Sequence, residues 1–170
     1  MTRLIHTLLF ALLLALSVTP VMAGDNPSVD QQLDDLTLMC DHSAKARSDR
    51  HAQKSLHDRL GGYEAIHELT REIVRLHSIN PEIKHTLDHV DHAQLAKHVA
   101  DFVAAGTGGT TAYTGRSMPD AHAHLALTNA HFLSAGGDVA KAMQTLGHGQ
   151  DEIDEILCIL VSLKDQVVFN

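Results

Sequence analysis

From Ser55 to Val168 apolar residues recur every three or four positions and glycines stand where the runs stop, a pattern that helices joined by tight loops satisfy. A short helix from Ser55 to Leu60 meets Gly61-Gly62, residues that readily break a helix. Ile66, Leu69, Ile73 and Leu76 mark the buried face of a second helix, which ends at Asn80-Pro81; Pro81 fits the first position of a further short one. Asp91, with Gln94 three residues on, resembles a capping box and opens a helix bearing Leu95, Val99, Phe102 and Val103. Gly106, Gly108 and Gly109 stop it. After a threonine-rich loop from Thr110 to Gly115, Ser117, Pro119 and Asp120 start a short helix running to Leu125. Thr128 starts the next, which carries Phe132, Val139, Met143 and Leu146 and closes at Gly147-His148-Gly149. Its internal Gly136-Gly137 weakens it by about 1 kcal/mol per glycine relative to alanine. The last helix, Asp151 to Val168, has the cleanest apolar stripe, through Ile153, Ile156, Leu157, Leu160 and Leu163. Strand alternation is absent, and the expected fold class is all-α.

The residues before this region divide in two. Arg3, the apolar run Leu8 to Leu16 and Val21-Met22-Ala23 read as a secretory signal cleaved after Ala23, so residues 1–23 are assigned as a signal peptide. The run is short for a membrane span of about 20 residues, which makes a retained anchor the lesser alternative. The mature chain is expected to be periplasmic or secreted, with no membrane contact after cleavage. Residues 24–54 read as a polar extension, partly ordered at best, in which Leu33, Leu36, Leu38 and Met39 are able to form a short helix. Residues 55–170 make one domain with one core. On a helical wheel Cys158 lies roughly opposite the last apolar stripe, placed to face a strand of chain crossing the outside. For Cys40 and Cys158 an intramolecular bridge, a bridge between molecules and free thiols all stay open. The net charge of -8 becomes one unit more negative once Arg3 is removed, which disfavours nucleic acid as a partner.

Histidine is the unusual component: there are 14, against 4% aromatic residues and no tryptophan. Imidazole is the commonest transition-metal ligand near neutral pH, so a metal or haem role is raised. An iron porphyrin in a helical protein needs an apolar slot and one neutral imidazole reaching the metal from a helix. The helix holding His122 and His124 and the earlier one holding His98 supply candidates. Leu60-Gly61-Gly62, Phe102 through Gly108-Gly109, Tyr113-Thr114-Gly115, Met118-Pro119-Asp120-Ala121-His122 and, nine residues on, His131-Phe132 follow in order along the chain. In that order and spacing, from about Ser55 to Val168, the sequence resembles group I truncated haemoglobins. The resemblance implies a two-over-two helical sandwich around haem with His122 as the proximal iron ligand. His124 sits about 200° further round a helix and cannot face the same iron.

The resemblance also locates a distal side. Leu95, His98 and Val99 fall at the distal-helix positions, Val74 where a tyrosine is common, and Leu87 where a phenylalanine usually packs on the haem. Two usual hydrogen-bond donors are therefore apolar, which argues against tight oxygen binding and dioxygenation. His98 matches a position from which some relatives bind the iron, so a bis-histidine iron is one reading; the other turns His98 to solvent or to a propionate. Phe102, Tyr113, Met118 and Phe132 are expected as pocket lining or as ordinary core. The implied function is a haem globin that binds oxygen, nitric oxide or CO, or passes electrons to an unidentified redox partner. A dedicated enzyme would need an electron donor, which the sequence does not identify.

The alternative is a periplasmic histidine-rich protein that binds divalent metals on a globin-like shell. His85, His89 and His92 have a spacing that suits such a site on a helix, but a proline and a capping signal put a loop among them. Gly106 to Gly109 lacks the Lys and Ser or Thr of a phosphate loop. No Cys-x-x-Cys-His motif is present, which excludes the usual thioether attachment of haem and leaves a histidine-to-vinyl link open.

Overall fold

A computed structural model describes residues 26–169, so the signal segment and its cleavage point lie outside the described residues. Helix α1 spans Val29–Gln53, α2 Leu56–Arg59, α3 Gly62–Ile79, α4 His92–Gly106, α5 Met118–His122, α6 Asn129–Thr145 and α7 Gln150–Leu163. Turns of 3₁₀ helix stand at Lys84–Leu87, Ala123–Leu125 and Lys164–Gln166. There is no strand among the described residues. Most of the helix starts have a local cause. Ser55, Asp91, Ser117 and Thr128 each accept a backbone N–H with a side-chain oxygen, satisfying donors the first turn leaves free. Gly61, at φ 98°, lets the chain turn between α2 and α3 in a conformation L-residues avoid.

Helices α3 and α4 pack as one pair and α6 and α7 as another, and α3 crosses α6, so the pairs stack two over two. The core lies between them: Ile66, Leu69, Ile73 and Leu76 of α3 meet Ala100 and Ala104 of α4, Val139, Ala142 and Met143 of α6, and Ile153 and Ile156 of α7. Alanines on the α4 face admit the close approach of α3. The expected helix at Pro81 is a turn followed by 3₁₀ helix, and the last helix tightens to 3₁₀ at Lys164 instead of running regularly to Val168.

The largest departure is at the N-terminal side. The residues expected as a partly ordered extension form α1, a continuous helix of 25 residues. Its inward stripe is Leu33, Leu36, Met39, Cys40, Ser43, Arg47 and Arg50, spaced three and four apart, but only Leu33 and Cys40 are buried. The stripe lies on α7 and α6, and Cys40 is bonded to Cys158 across 118 residues. Of the three readings left open for the cysteines, the intramolecular bridge is the one found, and a helix crosses Cys158 where a strand of chain was expected. Around it Arg59 of α2 donates to Glu152 and Glu155 of α7, both at 2.6 Å, and Arg50 of α1 lies 3.9 Å from the buried Glu155.

Candidate functional site

Helix α4 has two apolar faces. Ala96, Ala100 and Ala104 are buried against α3 and Val103 packs on the same core; Leu95, Val99 and Phe102 form a second face and are only half-buried. At one end of this second face Leu95 packs on Val74 of α3, Leu87 of the 3₁₀ turn and Ala96, which brings together three of the five residues expected on the distal side; His98 and Val99 are not in that cluster. At the other end the ring of Phe102 meets that of Tyr113 edge to face at 5.2 Å. The Tyr113 hydroxyl donates to the Arg116 carbonyl at 2.7 Å and so ties α4 to the residue before the cap of α5. Ser117 then caps α5 by accepting from Asp120 N, and Pro119 holds the first turn.

That short helix ends on His122. Its Nδ1 is 2.8 Å from the Met118 carbonyl oxygen. A carbonyl only accepts, so Nδ1 carries the proton and Nε2 keeps its lone pair, which is the form in which imidazole binds a metal. Other histidines are committed otherwise. His131 Nδ1 accepts from Thr128 N and His51 Nδ1 from Leu56 N, which puts the proton on Nε2 and removes the outer nitrogen as a ligand. His57 and His77 have the same tautomer as His122, each donating from Nδ1 to a carboxylate at 3.0 Å. The His57 ring, however, is packed on Gly109, and His77 lies between α3 and α6. Among the histidines whose tautomer a partner decides, His122 alone follows the loop that Phe102 and Tyr113 hold.

His98 is exposed, at the edge of the second face of α4 and next to Phe102 on the helix surface. Phe132 is half-buried in the first turn of α6, and Met118 half-buried at the start of α5. His85, His89 and His92 are all exposed and do not share a helix: a 3₁₀ turn holds the first, His89 stands at φ 66°, and His92 begins α4. Among the described residues no three His, Cys, Asp or Glu side chains converge to hold a metal ion. The divalent-metal alternative thus finds no support. An open concavity of about 210 Å³ between α3 and α4 has Val74 in its lining with Arg71, Ser78 and His92. Another of about 380 Å³ is lined by Asn129, Lys164 and Phe169, beside the C-terminal turn and not between α4 and α5.

The site's supports include groups that were not legible in the sequence. Asp101, buried on α4, accepts from Tyr63 Oη at 2.8 Å and Lys97 Nζ at 2.7 Å, and these two donors hold its carboxyl below the usual carboxylate range. Lys97 and Asp101 stand four apart, a spacing that was available as a signal. The His131 imidazole completes a capping box with Thr128, a role usually given to Glu or Gln.

The donor set and the half-buried apolar face fit a porphyrin, and the comparisons agree. Residues 55–169 match the family model described as bacterial-like globin. A group 1 truncated haemoglobin of Tetrahymena thermophila is 27% identical over 103 residues, 61% of this chain and 85% of that protein. One from Synechocystis sp. is 28% identical over 109 residues, 62% of this chain and 88% of the relative. The crystal structure of Tetrahymena pyriformis truncated haemoglobin in its Fe(III) form superposes with a TM-score of 0.66 at 22% identity, over 69% of this chain and 100% of that one. The 2/2 haemoglobin of Synechococcus sp., with covalently attached haem, gives 0.63 at 29% identity, over 67% and 98%.

Proposed function

This chain belongs to the bacterial-like globin family, and on that premise we propose that its haem lies against the second apolar face of α4 with His122 as the proximal iron ligand. The observation that carries the assignment is the hydrogen bond from His122 Nδ1 to the Met118 carbonyl, which presents Nε2 as a neutral donor. Leu95, Val99, Phe102, Tyr113, Met118 and Phe132 supply the apolar and aromatic lining, and Val74 and Leu87 back it on the distal side. Haem supplies iron able to bind a diatomic gas or to change oxidation state; the helices control access and axial ligation.

His98 would be the second histidine holding the iron in this reading. Val74, Leu95 and Val99 offer no hydrogen-bond donor, so the imidazole at the edge of their face is the group on α4 suited to the sixth position. With haem bound, the iron would supply binding of oxygen, nitric oxide or CO and single-electron exchange with a redox partner, and His98 would be the residue deciding between the two. Export to the periplasm or exterior is part of the proposal, supported by the signal-like first 23 residues and by a disulfide of the kind that persists in oxidising compartments.

The test is an absorption spectrum of the haem-loaded protein, oxidised and then reduced with dithionite. Low-spin bands in both states, His122→Ala losing haem, and His98→Ala keeping haem with an open sixth site are the expected results. A five-coordinate reduced spectrum in the unaltered chain would remove His98 as a ligand. An unchanged spectrum in His122→Ala would remove His122.

A further inference from the structure

Helix α1 is held on the domain by unusually little apolar contact. Of its 25 residues only Leu33 and Cys40 are buried, and the inward stripe ends in Ser43, Arg47 and Arg50. Arg47 spends its guanidinium within the helix, on the Cys40 carbonyl and the Ser43 hydroxyl. The polar ties to the domain are few: Asn129 Nδ2 donates to Asp30 at 3.0 Å, Arg50 reaches Asp151 at 3.3 Å and Glu155 at 3.9 Å, and His51 Nδ1 accepts from Leu56 N of α2 at 3.4 Å. Asp30 and Asp151 are exposed, where ion pairs and hydrogen bonds contribute little. A helix this polar gains little by docking, and the Cys40–Cys158 bond at its middle supplies the missing constraint.

What α1 grips bears on the haem site. Asn129 opens α6, the helix of Phe132. Cys158 is in α7, whose C-terminal 3₁₀ turn touches α5, the helix of His122. Arg50 and Arg59 share Glu155, so the far end of α1 is joined to α2. The strap therefore runs over the two helices that bound the proximal side.

We propose that the Cys40–Cys158 bond makes α1 a redox latch, clamped over α6 and α7 only in the oxidised chain, and that the closed latch sets how firmly the domain keeps its haem. The proposal rests on the haem reading above. To close the latch, the two thiols lose two protons and two electrons to the disulfide of an exchange partner, which leaves as two thiols, and the Sγ–Sγ bond forms. A thiol reductant reverses the step and breaks that bond. Both cysteines are buried, at 7% and 6% exposure, so either direction proceeds when α1 lifts. A chain kept in reducing surroundings holds α1 undocked, and transfer to an oxidising compartment completes the domain.

The test compares the haem-loaded oxidised protein, the same protein treated with dithiothreitol, and the Cys40→Ser/Cys158→Ser variant. Hydrogen exchange follows residues 29–53, and haem transfer to excess apomyoglobin follows retention. Without the bond, residues 29–53 are expected to lose protection while α3 and α4 keep theirs, and haem to leave roughly tenfold faster or more, as a sub-global opening becomes easy. Equal protection of α1 in all three forms would overturn the latch. A freed α1 with unchanged haem transfer would overturn its link to haem. A chain with no Soret band in any form would overturn the haem reading itself, a failure distinct from the other two. Protection of α3 and α4 reports that the variant folds; where it is lost, the dithiothreitol-treated protein decides.

Discussion

A methyl group added at Gly109 would lie 2.6 Å from His57 Cδ2 and 2.8 Å from the Ala104 carbonyl oxygen, inside contact distance of both. One of these is backbone, which cannot yield cheaply. Gly109→Ala is therefore expected to lower stability by about 1–3 kcal/mol, the range for overpacking. At Gly106, the last residue of α4, nothing lies within 4 Å of the same methyl, so Gly106→Ala is expected to be neutral or to stabilise by up to about 1 kcal/mol. Urea denaturation of the two variants checks the pair, and equal effects would refute the distinction. In sequence the two glycines look alike, both stopping α4. What each one touches depends on His57, about fifty residues earlier, and no local pattern contains that. His122 shows the same limit. Its place at the end of a Ser-Met-Pro-started helix was legible, whereas its tautomer follows from where the Met118 carbonyl points.

Helices were legible where an apolar stripe meets a polar face. Helix α3, with Ile66, Leu69, Ile73 and Leu76 in phase, is where the periodicity puts it. Helix α1 was not, because its stripe mixes leucines with Ser43, Arg47 and Arg50, and such a stripe docks only when a partner surface takes the polar groups. The partner is α7, where Glu155 is buried and needs cations. Arg59 meets it at 2.6 Å and is itself only 12% exposed in its side chain. Arg59→Ala would leave that carboxylate only the more distant Arg50 at 3.9 Å, so a loss of up to about 3–5 kcal/mol is expected, the range for breaking one partner of a buried pair. Arg59→Met combined with Glu155→Leu should recover most of it, since it is the unpaired charge that destabilises. If the double variant proves no more stable than Arg59→Ala in denaturation, packing and not charge is the cause. Helix α6 gives a converse case. It continues through Gly136-Gly137 because its buried residues Val139, Ala142 and Met143 hold it in the core. With nothing within 4 Å of a methyl at Gly137, Gly137→Ala should raise stability by about 0.5–1 kcal/mol.

For the molecule as a whole, the two helix pairs must stay crossed, and a polar knot stands where α3 passes α6. His77 Nδ1 donates to Asp138 at 3.0 Å, and Asn80 Nδ2 donates to the same carboxylate at 2.8 Å and to Ser134 Oγ at 2.9 Å. Apolar phase gave the helices and the family resemblance implied their two-over-two stacking, but this knot joins residues 54 to 61 positions apart and had no signature. Burial pushes the His77 imidazole below its ordinary value, and the Asp138 charge only partly opposes that shift. The folded state thus disfavours the protonated ring relative to the unfolded chain. Its contribution is full above the ordinary histidine value of about 6.5 and is lost as pH falls through it toward the lower folded value, with a limiting slope of about 1.4 kcal/mol per pH unit for one group. Asp101 acts lower on the scale: Lys97 and Tyr63 depress its carboxyl, so its share is lost only as pH falls below the ordinary carboxylate range. The pH 7.5 to 5.5 window therefore isolates histidine. His77→Gln takes up no proton, so between those two pH values its urea midpoint should fall less than that of the unaltered chain, whatever its stability at pH 7.5. Parallel falls would assign the acid sensitivity to other histidines and leave the crossing of α3 and α6 indifferent to pH. A smaller fall in the variant would make that crossing the place where acid first loosens the two layers.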